Sequence, residues 1–376
     1  MRTSIKKTLK RSFTVTSCAV ISSLSFAQSS GIVLKNSNSK TSTMTSTLKN
    51  IQDDSNEKSN LKGSISFQSN EWVQDVGEVV GNKYFGEVNI DYHSNKDGDF
   101  EKKFNLASRV NDKENLMFSV PEAYLRIRFG SNDMTFGRAV LPWSELDKEW
   151  GFGKLNNRIN FDGFNPGQEG LTGVSFNHRN ANGFNVSLFG SVLYVPEMNP
   201  GTKIDPDKGT VTCDNPWCKA PSPTADVEGK NIPIYYNVNY PEISDVVFRY
   251  SLGGRIGYED KQKSFHGFLM RKPENQMSTT AEVAYENANQ RIYADVTPQF
   301  YYHDVAGAET KLKLSDRRVA YGSFFRISPN SNPDGNQPYI EYTGIKPNKK
   351  LEEYLGTGIG YETEKFKAPT FSFCRL

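Results

Sequence analysis

The chain has 376 residues, 45 of them basic and 43 acidic, with a net charge of +2 and 36% apolar residues. That length allows one or two domains, and the balanced charge supplies no basic field of the kind that nucleic acid selects. No stretch of the mature chain approaches the roughly 18 consecutive apolar residues that a membrane-crossing helix needs.

Residues 1–11 carry Arg2, Lys6, Lys7, Lys10 and Arg11 and no acid. Residues 12–24 are weakly apolar, through Phe13, Val15, Ala19, Val20, Ile21 and Leu24, and Ser25-Phe26-Ala27 then presents small residues at a cleavage site. This is the layout of a secretory signal peptide over 1–27, cut after Ala27. Cys18 follows too little apolar sequence to be a lipoprotein site. Without the leader the count is 40 basic against 43 acidic, a net of −3, so the excess of positive charge belongs to targeting.

Residues 28–60 are rich in Ser, Thr, Asn and Lys and read as a flexible periplasmic lead-in, because such a composition cannot repay its ordering entropy. From Leu61 onward, short alternating stretches are separated by Asn, Asp, Gly and Lys clusters, a pattern of hairpins. Strands are expected at 61–68, 82–93 and 100–110. A hairpin follows, in which Pro121, Ala123, Leu125, Ile127 and Phe129 alternate with Glu122, Tyr124, Arg126 and Arg128. Ser131-Asn132 turns the chain, and Met134 and Phe136 lie on the return strand. Residues 142–169 are too irregular for one strand and read as a long loop, followed by a strand over 171–178. Phe184 to Val195 gives a further crossing, with Phe184, Val186, Leu188, Val192 and Tyr194 on one side. A second long loop, 196–243, is rich in Pro, Gly, Asp and Asn.

Asp245 to Glu259 shows the cleanest alternation. Val246, Phe248, Tyr250, Leu252, Ile256 and Tyr258 share one face, and Arg249, Ser251, Arg255 and Glu259 the other. Later candidates are 263–271, 279–287, 290–302, 311–315, 317–328, 338–343 and 354–362. About 14 segments result, many long enough to cross a bilayer at a tilt. Tyr84, Tyr92, Tyr194, Tyr258, Tyr301 and Tyr302 lie near segment ends, where interfacial aromatic girdles are expected. A soluble β-sandwich would alternate too, but segment length, uneven turn lengths and aromatic placement favour an all-β, antiparallel transmembrane barrel of 12–16 strands over residues 61–376.

Four histidines, His93, His178, His266 and His303, are scattered, and no catalytic, nucleotide or metal motif is present. The chain is therefore expected to be no enzyme and to hold no cofactor. Cys213 and Cys218, close together in an exported loop, are a plausible disulfide, while Cys374 has no evident partner. The positive chemical feature is arginine on the inward face: Arg126, Arg128, Arg138, Arg249 and Arg255. Lining a water-filled interior, they would concentrate anions; paired with carboxylates such as Glu122 or Glu259, they would instead tie the wall together. In the first long loop, charged Glu145, Asp147, Glu149 and Arg158 are interleaved with Trp143 and Trp150. They would form a constriction or a site for a sugar-like or aromatic solute, or the loop would pack its aromatics into the barrel mouth and satisfy its own charges.

Leader, alternating segments and aromatic-rich loop together resemble Gram-negative outer-membrane β-barrels of the porin-like class. The stretch from Phe136 to Phe176, with TFGRAVLPWSELDKEWGFG and FNPGQEGLTGVSF, resembles a segment found in porin-like proteins of predatory and related proteobacteria. The resemblance implies passage of small hydrophilic solutes, contact with outer-membrane lipid and lipopolysaccharide, insertion by the barrel-assembly machinery, and a monomer or homotrimer. A surface barrel whose long loops bind a partner is the alternative. One departure is the ending Thr370-Phe371-Ser372-Phe373-Cys374-Arg375-Leu376, where such barrels usually end in Phe.

Overall fold

The computed structural model describes residues 40–51, 57–71, 83–96, 98–111, 116–145, 147, 153–159, 167–197, 202–213, 220–315, 318–329, 351–363 and 366–375. In chain order the strands are β1 (Lys40–Ile51), β2 (Glu57–Glu71), β3 (Lys83–Lys96), β4 (Phe100–Asn111), β5 (Leu116–Phe129), β6 (Asn132–Ala139), β7 (Asn157–Ile159) and β8 (Gly167–Glu169). Then come β9 (Leu171–Arg179), β10 (Phe184–Ser191), β11 (Thr202–Asp205), β12 (Thr210–Cys213), β13 (Thr224–Val227), β14 (Lys230–Val238) and a short helix α1 (Ile243–Val247). The rest are β15 (Ser251–Glu259), β16 (Lys263–Pro273), β17 (Ser278–Glu286), β18 (Arg291–Gln299), β19 (Tyr302–Ser315), β20 (Arg318–Pro329), β21 (Glu352–Thr363) and β22 (Phe366–Arg375).

Fourteen of them form one antiparallel meander, ordered β1-β2-β3-β4-β5-β6-β9-β10-β15-β16-β19-β20-β21-β22. β1 and β22 are the outermost strands of the described ladder. The count falls within the expected range. The ladder starts earlier than composition suggests, because β1 and the first residues of β2 occupy the stretch read as a lead-in. The candidate strand at 338–343 lies outside the described residues.

Alternation divides each wall strand between two environments. On β10, Asn185, Ser187 and Phe189 are buried while Leu188 is 54% exposed. On β16, His266, Phe268, Met270 and Lys272 are buried while Phe265 and Leu269 are each 60% exposed. The outward row Val186, Ile256, Phe324 and Leu355 is in cross-strand register through Gly267 and Ala308. A continuous apolar exterior on a meandering sheet, with polar and core residues inside, is the construction of an outer-membrane-type transmembrane β-barrel.

Two local irregularities adapt the wall. On β4–β5 the register slips between Asn105 and Ala107, so that Asn105 faces Glu122 and Ala107 faces Ser119. Met117 and Ser119 point inward before the bulge, and Glu122, Tyr124, Arg126 and Arg128 after it. Pro121 sits at the slip, where its missing N–H costs no ladder bond, and its carbonyl accepts the Gly170 N–H at 2.9 Å. On β6, Gly137 adopts φ 118°, and an added Cβ would lie 2.3 Å from the Ala123 oxygen. Beyond this distortion Arg138 turns onto the buried Glu169.

The sheet curls around the connection between β6 and β9. Ser144 donates to Glu309 on β19 at 2.8 Å, and Lys154 pairs with Glu352 on β21 at 3.2 Å. Gly167 packs against the Arg109 guanidinium of β4, nine ladder steps away from β21. In a flat sheet those strands would be about 43 Å apart. Yet Gly167 pairs with Ile159, only five residues from Lys154, a reach of at most about 18 Å. One insert touching both strands shows that the sheet curls around it.

The next two long connections build their own sheet, β13-β14-β18-β17, in which β14 and β18 run parallel. The segments read from sequence as wall strands at 279–287 and 290–302 belong here, since a half-buried sheet of any kind alternates. The strand read as Asp245–Glu259 starts only at Ser251. Its partner β10 ends there, at the Ser191–Ser251 pair, so the preceding backbone bonds locally as α1, with Phe248 N–H donating to the Ser244 carbonyl at 3.0 Å.

Candidate functional site

The insert fills one side of the interior. Leu141, Trp143 and Leu155 join Phe189, Phe268, Met270, Val305, Phe325, Ile327 and Tyr354 of β10, β16, β19, β20 and β21 in one buried cluster. Phe268 and Phe325 meet edge to face at 5.1 Å, and Trp143 is 2% exposed. Asp147 is buried at the centre of the insert. It accepts the backbone N–H of Asn156 at 2.6 Å and of Lys154 at 3.1 Å, and the Asn156 side-chain amide at 3.2 Å. Burial pushes its carboxyl above the ordinary range, against the pull of those donors and of the nearby Lys272 ammonium. Lys272 donates to Asn275, whose amide reaches the Gly153 carbonyl and, at 3.2 Å, the Asn156 carbonyl.

Of the other loop residues singled out in the sequence, Glu145 donates its N–H to Glu309 at 2.8 Å. Arg158 on β7 is half-buried, its Nε has no partner, and burial lowers its pKa. Glu149 and Trp150 lie outside the described residues. Cys213 is disulfide-bonded, and position 218 lies outside the described residues.

The opposite side of the interior is polar and ion-paired. Glu101 on β4 gathers Arg126 at 3.2 Å, Arg128, the Tyr124 hydroxyl at 2.8 Å and His93 at 3.5 Å. Lys103 pairs with Glu122, and Arg109 with Glu87 at 2.9 Å. Beside this network a recess of about 250 Å³ is lined by Asn60, Lys62, Asp91 and His93. A second recess, of about 330 Å³, lies under Leu141, Pro142 and Trp143 of the insert and against Thr135, Ser187 and Arg255 of the wall.

The five arginines therefore have different surroundings. Arg126 and Arg128 share Glu101. Arg138 is held by Glu169 at 2.6 Å and by the Gly170 carbonyl at 3.0 Å. Arg249 precedes β15, donates to the Asp245 carbonyl at 2.7 Å and lies over the Phe300 ring. Arg255 lies on the inner face of β15, donates to the Asn185 side-chain oxygen at 3.2 Å, and its Nε is buried without an acceptor.

Of the tyrosines placed at the girdles by sequence, Tyr84 and Tyr258 are outward and exposed. Tyr194 and Tyr301 are buried instead. Tyr194 packs edge-on to Phe300 at 5.4 Å and donates its hydroxyl to the Asn275 carbonyl at 3.0 Å; burial raises its pKa. Sequence reasoning missed Glu101, Glu169 and Glu309, three carboxylates that help organise the interior. Glu101 and Glu309 each sit on an inward strand position, but only cross-strand register reveals what each faces. Among the described residues no group of His, Cys, Asp or Glu comes together as a metal would require.

No family model and no curated protein matches the chain. Solved structures do. The chain is similar to Salmonella typhi OmpF, determined as a daunomycin complex, at 10% identity and TM-score 0.36, over 87% of this chain and 92% of that one. It is similar to OmpT of Vibrio cholerae at 9% identity and TM-score 0.32, over 90% and 89%. For the siderophore receptor PirA of Pseudomonas aeruginosa the values are 8% and 0.32, over 90% of this chain and 49% of the receptor. Likeness at this level assigns no activity.

Proposed function

We propose that the protein is a channel of the bacterial outer membrane that passes small hydrophilic solutes along the polar side of its interior. The observation that supports this best is the division of the lumen. The insert packs apolar side chains against one part of β10 to β21, while β2 to β5, and β6, β9 and the neighbouring inner positions of β10 and β15, present charged and amide groups beside two recesses. Water and polar solutes follow the second surface, since on the first the apolar cluster fills the space and the polar groups there, such as Glu309 and Lys272, are taken up by the insert and its neighbours. The insert acts as the constriction, with Glu145 and Asp147 serving to anchor it and not to meet solute.

Anion preference, in this reading, rests on Arg255. Arg126, Arg128 and Arg138 each face a carboxylate, which cancels most of their field beyond a Debye length. Planar-bilayer recordings of the refolded full chain test both parts. Absence of single-channel conductance would sink the channel. A reversal potential in a KCl gradient that is the same in wild type and Arg255→Gln would sink the anion preference.

The alternative, a surface barrel acting through its loops, draws support from the separate sheet β13-β14-β18-β17 with its exposed Val227, Val283 and Tyr285. It expects deletion of 200–230 to abolish attachment to a partner surface while leaving the barrel folded.

A further inference from the structure

The recess beneath Trp143 has an unusual charge balance. Of the groups lining it, Arg126 is compensated by Glu101 at 3.2 Å and Arg179 by Glu259 at 2.5 Å. Asp133 accepts from the Asn177 amide at 2.8 Å and lies 3.9 Å from Arg126. Arg255 stands apart. Its one hydrogen bond runs to the neutral Asn185 oxygen, and its Nε–H, buried, donates to nothing. The recess thus holds one guanidinium that no side-chain carboxylate offsets at ion-pair distance among the described residues. An ionised group in that state is costly unless an anion joins it.

Beside His178, whose ring nitrogen lies 2.8 Å from the Asn132 side-chain oxygen, the remaining wall is built from short hydroxyl and amide side chains: Thr135, Ser175, Asn177, Asn185 and Ser187. These offer both donors and acceptors at fixed positions on rigid strands. The roof is apolar, from Ala139 to Trp143. A volume of about 330 Å³ corresponds to roughly ten waters, enough for a six-carbon molecule. One positive charge with no carboxylate at ion-pair distance, and with Glu259, Glu309, Glu145 and Arg179 as the charged groups around it, suits a monoanion better than a dianion.

We propose that this recess is a binding subsite for small hydroxylated monocarboxylates of the sugar-acid class, with the carboxylate on Arg255 and the hydroxyls on the Thr, Ser and Asn side chains of β6, β9 and β10. This rests on the reading of the interior as a solute path, and makes that path selective at one point.

The test uses isothermal titration of the full chain refolded in detergent, which needs no conducting pore. The probes are D-galacturonate, neutral D-galactose and inorganic phosphate. Wild type should bind galacturonate in preference to both others. Arg255→Gln should weaken galacturonate about tenfold or more, and Asn185→Asp, which supplies a carboxylate beside the guanidinium without changing side-chain size, should do the same. Heat-modifiable migration checks that each variant is folded, and Asn185→Asp carries the test if Arg255→Gln fails to fold. Equal binding of galacturonate and galactose, undiminished binding in Asn185→Asp, or no binding by wild type would overturn the subsite. Phosphate binding as well as galacturonate would overturn the sugar-acid assignment. Titration as expected, with no conductance in bilayers, would uphold the subsite and reject the channel.

Discussion

At the scale of single residues, Asp147 shows how a buried carboxylate can serve structure. Its oxygens satisfy backbone N–H groups of a loop that makes no regular ladder there, the same service a helix cap performs for orphan donors. Asp147→Ala should therefore cost about 2–3 kcal/mol, the penalty of leaving such donors buried and unpaired, measured as a lower urea midpoint in detergent. The pH dependence has a definite sign. Burial raises this carboxyl, so the folded chain takes up the proton at higher pH than the unfolded chain. The stability linked to that proton is fully present below the ordinary carboxylate range and is lost as pH rises through the raised value. The difference in unfolding midpoint between wild type and Asp147→Asn should move in favour of wild type as pH falls from about 7 toward about 4. A difference independent of pH would show that the group does not titrate in that window.

At the scale of elements, the wall was largely legible and its exceptions were not. Alternation located β5, β6, β9, β10, β16 and β20 within a few residues, because a strand with one lipid face and one interior face writes a period of two into its sequence. The same period occurs in β17 and β18 outside the wall, so alternation could not say which sheet a strand joins. It also overran into α1, since nothing in Val246 or Phe248 announces that β10 has already ended. The arginine face was readable, but the carboxylates opposite were not: Glu101 lies on the adjacent β4 strand, paired in register with Arg126. Gly137 is an element-scale device of this hidden kind. Its φ of 118° and the 2.3 Å approach of the Ala123 oxygen leave no room for a side chain. Gly137→Ala should destabilise the β5–β6 hairpin by about 1–3 kcal/mol and release Arg138 from Glu169. Amide exchange across 132–139 should then accelerate relative to β15 and β16, and unchanged protection would refute the strain.

For the whole molecule, the decisive question is whether the outward apolar face meets lipid. Ile256 lies near the middle of β15, 56% exposed, in register with Phe324 and Leu355 two and three strands beyond β16. In water an exposed isoleucine is an ordinary surface residue, and Ile256→Arg would change stability by no more than about 0.5 kcal/mol. In a bilayer the same change places a guanidinium at the depth where charge is most costly, and the expected loss is about 2–4 kcal/mol. Arg255, one residue away on the other face of the same strand, points to the interior and so escapes this lipid-specific penalty, whatever its own desolvation costs. Denaturant titration of the protein folded into phospholipid vesicles should show the full loss for Ile256→Arg and almost none for Ile256→Leu. A neutral Ile256→Arg would mean that the face is solvent-exposed, and the interior division into a packed side and a polar side would then describe a soluble sheet instead of a channel wall.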